Sequence, residues 1–453
     1  MSGVALEPLN KKQKRYTLSF HAFGKADAGS GTKKLLEQES LNCDYCDGVL
    51  SSGFGMEYYQ KGGARVPALT DAERFFIVDV SKTDIATPAT ALFCMTKYGE
   101  LYLFNEKTRM YDYQLGPSPA ARMACVENDV GDKYLVVSSP HKYFVREGAG
   151  WTSRRLDGAT GAMCVCKDRI FLAMDNGTIA YSDPYFPHLF DGMREDGTIQ
   201  LAYELGEIVA MLCFKNQVYV FHQFGVASIK VTGNAETFEI QPLDYRGGEI
   251  FGDSVGVCGN VVFFLAADGV YRFDGKDFHR VEGVGKIAPS LRERVCQYSV
   301  CGNTYLLQYE DIEEEWRAVA IAADGKSGYF TSVREGLSFA GGMALCQLGN
   351  YVVMLRENGE IPAAWKPSFI TQRTDFGVVG RKTLRTVRVR GRGLVTMRVG
   401  TDRLEKEYAL SFDHGVASVD LRVLGENFYF AFSLGKNACV QEVAVDFSVA
   451  KGG

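Results

Sequence analysis

The residue types best suited to chemistry are cysteines and carboxylates. Cys164 and Cys166 are one residue apart in CVCKDRIFLAMDNGTIAYSDP, and Cys43 and Cys46 form a Cys-x-x-Cys. Two thiolates at either spacing could begin a zinc site or a redox pair. A zinc site needs two more ligands. No second Cys-x-x-Cys or His-x3-His lies nearby, and the six histidines (21, 141, 188, 222, 279 and 414) are scattered. A redox Cys-x-x-Cys normally opens a helix, and the flanks here read as strands. Asp175, Asp183, Asp191 and Glu195 share one stretch with Tyr181, Tyr185, Phe186 and Phe190. Paired carboxylates beside aromatic rings suit saccharide binding or hydrolysis. The alternative is an ordered loop stiffened by Pro184 and Pro187.

Other motifs fail on their own residues. GVGKI at 283–287 has Arg280 where a phosphate loop needs its first glycine and Ile287 where it needs Ser or Thr. SSGFG at 51–55 lacks the strand-to-helix setting of a dinucleotide site, and there is no Gly-x-Ser-x-Gly elbow. No catalytic, cofactor-binding or metal residues are assigned, and no enzyme activity is expected.

The elements that must carry these residues are strands. Short runs rich in Val, Ile, Phe and Tyr, separated by Gly, Asn and Asp, dominate from about residue 75. With 453 residues, 46% of them hydrophobic, the chain can fill a large core and more than one domain. A net charge of −5 argues against a general nucleic-acid binder. No apolar run reaches membrane-spanning length, and the first twenty residues lack the apolar segment of a signal peptide. Twelve cysteines in such a chain are expected to be free thiols.

The cysteines also mark a repeat. CMTKYGELYLF from Cys94 is followed by matching segments at Cys125, Cys166, Cys213, Cys258, Cys301 and Cys346, at intervals of 31, 41, 47, 45, 43 and 45 residues. Each reads cysteine, polar turn, apolar strand. A second turn follows in register at Asn176-Gly177, Phe224-Gly225, Asp268-Gly269 and Asn358-Gly359. Asn-Gly and Asp-Gly supply the positive φ of tight hairpins. WTSRRL, TFEIQPL, DFHRV and SGYFTSV supply fourth strands. Units of about 40 residues built this way predict an all-β chain containing a β-propeller of about seven four-stranded blades, with six or eight as alternatives. Cysteine, small and apolar, suits the end of each innermost strand. There is neither a Trp-Asp repeat nor a kelch Gly-Gly pattern.

The expected organisation is an N-terminal extension over 1–90 whose strands close the ring, a propeller over 91–365, and a C-terminal β-sandwich over 366–453. Within the sandwich, Arg388, Arg390 and Arg392 alternate with Val387 and Val389 and so share a strand face. With Arg385 and Arg398 they form a candidate surface for nucleic acid or an acidic partner. Stacking aromatics are missing there, so sequence-specific recognition is not expected. Asp183, Tyr185 and Phe186 are a second candidate interaction surface.

TIAYSDPYFPHLF at 178–190, LNCDYCDGVLSSGFGM at 41–56 and KTLRTVRVRGRGLVTMRVGTD at 382–402 carry a resemblance. They are similar to segments of β-propeller virion proteins of tailed bacteriophages, of the tail-nozzle or packaged-DNA-stabilising type that closes the portal exit. The resemblance implies a structural component of the virion tail, made in the host cytoplasm. It also implies assembly as a ring, commonly of six copies, against portal, adaptor or other tail proteins, with non-specific contact with packaged DNA. A glycan-binding or glycan-cleaving propeller using the loop at 175–195 is the alternative.

Overall fold

A computed structural model describes residues 13–449, apart from 19–36, 45–47, 80–89 and short stretches at 129–130, 148–149, 194, 202–204, 233–236, 282–286, 293–294, 326–327, 332, 334–336, 358 and 372. Cys46 and Asn358, named above, lie outside the described residues, as do 283–286 of GVGKI.

Seven four-stranded antiparallel sheets follow one another along the chain. Their first strands are Ala72–Asp79, Met123–Glu127, Ala159–Cys166, Ile208–Phe214, Ile250–Cys258, Cys296–Cys301 and Ser338–Ala340. Each of these packs on the first strand of the next sheet, and Ser338–Ala340 packs back on Ala72–Asp79. The seven sheets therefore form a closed ring of blades around an axis, a β-propeller. Its seventh blade is completed from the far end of the chain. Gly55–Tyr58 pairs with Tyr351–Arg356 as the outermost strand, Met56 opposite Leu355.

Burial explains why the strands read as apolar runs. The second strand of each blade lies in the middle of a layer covered on both sides by neighbouring blades. Val262 to Ala266 in blade 5 and Val218 to His222 in blade 4 are buried at every position. One hydrophobic cluster fills each of the seven gaps between blades. Phe263 of blade 5 stacks on Tyr305 of blade 6 with centroids 4.9 Å apart. Each such ring contributes about 2–3 kcal/mol of burial. At the inner ring the packing is tight enough to demand glycine. A Cβ on Gly256 would lie 2.1 Å from the Tyr298 ring of the next blade.

The cysteine repeat holds for the five central blades and shifts by one strand at both ends. Cys125, Cys166, Cys213, Cys258 and Cys301 lie on innermost strands, but Cys94 and Cys346 lie on the second strands Thr90–Thr96 and Met343–Leu348. Either hairpin of a blade satisfies the pattern of cysteine, turn and apolar strand. The innermost strand of blade 1 is Ala72–Asp79, within the stretch read as N-terminal extension.

The expectation of free thiols is corrected at one pair. Cys166 and Cys213, at equivalent positions on adjacent innermost strands, are joined as a disulfide with Cα atoms 5.3 Å apart. The repeat that made them look inert is what brings them face to face. Cys164, next to Cys166, is a buried thiol whose pKa is raised by burial.

The C-terminal unit is a two-sheet sandwich. One sheet runs Cys43–Asp44, Leu50–Ser52, Cys439–Val449, Lys382–Arg392, Val416–Gly425, with Gln13–Leu18 also on Cys439–Val449. The other runs Glu37–Leu41, Ser368–Thr371, Tyr429–Leu434, Val395–Gly400, Glu405–Leu410. A single core, including Phe369, Val387, Met397, Phe430 and Phe447, lies between them. Among the described residues of the first fifty-two, four strands thus belong to the sandwich.

Asn42 ties the two units together. Fully buried and in the left-handed region at φ 51°, it donates from Nδ2 to the carbonyls of Phe54 and Trp365, both at 2.9 Å. Its own N–H donates to the Phe330 carbonyl in blade 6. Asparagine is among the few non-glycine residues that adopt this conformation readily.

Candidate functional site

The aromatic loop is built around two buried polar residues. Arg169, 1% exposed, donates to the carbonyls of Ser182 and Glu195, both at 2.7 Å, and pairs with the Glu195 carboxylate at 3.2 Å. Asp183, 3% exposed, accepts from the backbone N–H of Tyr185 and Phe186 through Oδ1 and of Glu195 through Oδ2. Its carboxylate is therefore committed to the backbone and is not presented to a substrate. Ser182 Oγ accepts from the Ile170 N–H at 2.8 Å. Ser-Asp-Pro is thus a device that fixes the loop to blade 3. Beyond it Tyr185 and Phe186 are exposed, while His188 stacks on Tyr134 and Phe190 packs on Tyr143 of blade 2. Of the candidate residues on this loop, Tyr185 and Phe186 face outward and Asp183 does not.

The long strand Lys382–Arg392 alternates as its sequence implies. Val387 and Val389 are fully buried, Arg388 is half-buried, and Arg390 and Arg392 are exposed. Arg388 lies between Ala444 and Ser418, and Arg390 between Glu442 and Val416. None of these three arginines forms an ion pair among the described residues, whereas the neighbouring Asp446 is held by Arg15 and Asp420 accepts from Thr386. One expectation needs correction. Arg398 belongs to the other sheet, where it pairs with Glu405 at 3.2 Å. Lys382, at the start of the strand, points inward and donates to the carbonyls of Gly380 and Glu426, and burial lowers its pKa. Arg385 sits at a strand irregularity, exposed, with Nε donating to Ser448 Oγ at 3.3 Å.

Sequence reasoning missed the propeller channel. The innermost strands line a cavity of about 240 Å3 on the axis. Asp253 of blade 5 reaches across it to two guanidiniums, Arg74 of blade 1 at 3.0 Å and Arg122, beside the first strand of blade 2, at shorter range. Arg122 also donates to the carbonyls of Ala120 and Ala121 at 3.0 Å. Asp253 falls where the pairing of its strand breaks between Phe251 and Gly256, and Arg74 lies at a similar break between Ala72 and Arg74. Such irregularities re-aim side chains, here toward the axis. Burial opposes ionisation of Asp253, but Arg122 and Arg74 outweigh it and hold its pKa below the usual carboxylate range. Burial lowers the Arg122 pKa despite Asp253. An aspartate in the otherwise small and apolar FGDSVGVC was the one available signal.

A further feature also escaped the sequence reading. The hairpin between Thr304–Glu310 and Trp316–Ala322 in blade 6 carries Glu310, Asp311, Glu313, Glu314 and Glu315. Asp311 accepts from the N–H groups of Glu313 and Glu315 and from Arg317, which fixes the tip. Ile312 at its end is 71% exposed.

No protein-family model matches this sequence, and no curated protein matches it. Among solved structures the chain is similar to the RRP9 WD40 repeats, at 9% identity over 67% of this chain and 98% of that one, with a TM-score of 0.42. It is also similar to BamB from Moraxella catarrhalis, at 11% identity over 78% and 98%, TM-score 0.36. The WD40 domain of SCAP from fission yeast gives 8% identity over 87% and 94%, TM-score 0.34. The class rests on this chain's own sheet order: a seven-bladed β-propeller joined to a β-sandwich.

Proposed function

We propose that the chain is a structural component of the tail or head–tail connector of a tailed bacteriophage, working as a ring of copies without catalysis. The observation that carries the assembly part is the unpaired, outward-facing row of Arg388, Arg390 and Arg392 on the long strand of a rigid sandwich. The segments around Ser182-Asp183-Pro184 and Asn42 carry the bacteriophage part, through their resemblance to virion propellers. Both motifs serve here as structural fasteners, which suits a component whose task is shape. A Cys166–Cys213 disulfide is compatible with a particle that leaves a reducing cell. Light scattering after gel filtration, with co-purification against portal and adaptor proteins, tests the reading. A strictly monomeric protein without affinity for either would overturn it.

The glycan reading retains one supporting observation, the exposed Tyr185 and Phe186. Stacking on sugars would fall to them rather than to Asp183. Tyr185→Ala, which leaves the buried fastener untouched, should abolish saccharide binding if that reading holds.

A further inference from the structure

We infer that the arginine face of the sandwich docks the acidic hairpin of blade 6 from a second copy of this chain, giving a head-to-tail contact. This rests on the assembly reading above and names its interface.

The receiving surface is a sheet face on which Arg388 and Arg390 form no ion pair among the described residues and whose end, at Arg392, borders the groove beside the propeller. Arg388, Arg390 and Arg392 project from alternate positions of one strand, at a repeat of about 6.6–6.8 Å. Glu442 lies beside Arg390 without pairing to it, so the row keeps a positive excess. Val416, opposite Arg390 on the same face, is an exposed apolar side chain. The surface therefore offers guanidinium groups around an apolar contact.

The hairpin is its complement in charge and in layout. Glu313, Glu314 and Glu315 are its exposed carboxylates, with Asp311 buried beneath them; Arg317 pairs with Asp311, Glu313 and Glu315 and Arg292 with Glu314, so two guanidiniums offset four carboxylates and the tip stays net negative. The exposed Ile312 lies among the glutamates, with Leu291, also exposed, on the adjoining segment. An apolar anchor ringed by charge is the usual composition of an interface centre and its rim. The tip is already fixed by Asp311, so docking orders little additional chain.

The two surfaces cannot meet within one chain. Arg392 lines the groove between the units beside Thr304 and Glu357, at the start of Thr304–Glu310. The acidic tip follows Glu310, at the other end of that strand, about 23 Å away. A contact between two different patches on successive copies is heterologous, and it closes into a ring or extends into a filament according to the rotation between copies.

Charge reversal tests this in full-length protein. Glu313→Lys/Glu314→Lys/Glu315→Lys and Arg388→Glu/Arg390→Glu/Arg392→Glu should each weaken self-association by roughly a hundredfold or more, since like charges would then face each other. Mixing the two variants should restore assembly, because each then presents the partner the other lacks. If the arginine triple fails to fold, Arg390→Glu/Arg392→Glu, at exposed positions only, replaces it. Wild-type protein that assembles together with variants that assemble equally well would overturn this interface and leave the assembly reading standing. A monomeric wild type would overturn both. Loss in each variant without recovery on mixing would also overturn the pairing.

Discussion

Asp253→Asn isolates the ion cluster that crosses the propeller channel. Asparagine keeps the size of the side chain and removes the charge that two guanidiniums share. Breaking a fully buried pair costs about 3–5 kcal/mol, because the surviving charge is left uncompensated. Asp253 keeps 37% side-chain exposure to the channel, so part of that penalty is screened. A loss of about 2 kcal/mol is expected. Blades 1, 2 and 5 are held across the axis by this one carboxylate, so the loss should register as a lower urea midpoint for the propeller. Trp151, which packs edge-on against Phe93 between blades 1 and 2, supplies the fluorescence signal. Adding Arg122→Met removes one of the two stranded cations, and the double variant should recover part of the loss. A change below about 0.5 kcal/mol for Asp253→Asn, or a double variant no more stable than the single, would refute the cross-channel cluster as a source of stability.

Three further outcomes can be measured directly. His222 is buried, with Nδ1 2.9 Å from the Gly206 carbonyl, and burial lowers its pKa from 6.5. The unfolded chain takes up a proton near pH 6.5 while the folded one resists, so this contribution to stability is present above pH 6.5 and fades below it; His222→Gln should flatten the decline in a chemical-denaturation series across that range. Asn42→Ala leaves the Phe54 and Trp365 carbonyls without their donor and puts alanine at a positive φ, which should cost about 2–4 kcal/mol and expose the 42–54 segment to limited proteolysis. Reducing Cys166–Cys213, which closes a loop of 47 residues, should lower stability by up to about 4 kcal/mol, with no effect of reductant on Cys166→Ser/Cys213→Ser.

The propeller was legible because blades are local. Each central blade is built from consecutive strands, so a cysteine, two turns and four strands leave a periodic trace in sequence. That trace weakens where pairing becomes remote. Gly55–Tyr58 carries no mark that it belongs beside Tyr351–Arg356, and Gln13–Leu18 none that it pairs with Cys439–Val449. The arginine row was legible through its period of two, but periodicity within a strand does not say which sheet the next strand joins, and Arg398 was grouped with the wrong one. Asp183 was visible as a candidate, while its three backbone donors follow from the loop's path. Arg74, Arg122 and Asp253 meet only because the ring closes, with 179 residues separating the first from the last.

The closing strand also sets a schedule for synthesis. Glu57 and Arg356, neighbours in the finished seventh blade, are 299 residues apart. At ribosomal speeds of 5–20 residues per second, about 15–60 s pass between their emergence. Strands made first must therefore wait for partners made nearly last. The central blades can form as they leave the ribosome, since their pairs are consecutive. Neither the ring nor the sandwich can be completed until most of the chain exists, and a product truncated before Tyr351 would carry an unpaired Gly55–Tyr58 segment able to add to another sheet's edge. Nascent-chain truncations ending before and after the 351–356 strand should divide sharply in protease resistance, with the ring's last seam as the dividing line.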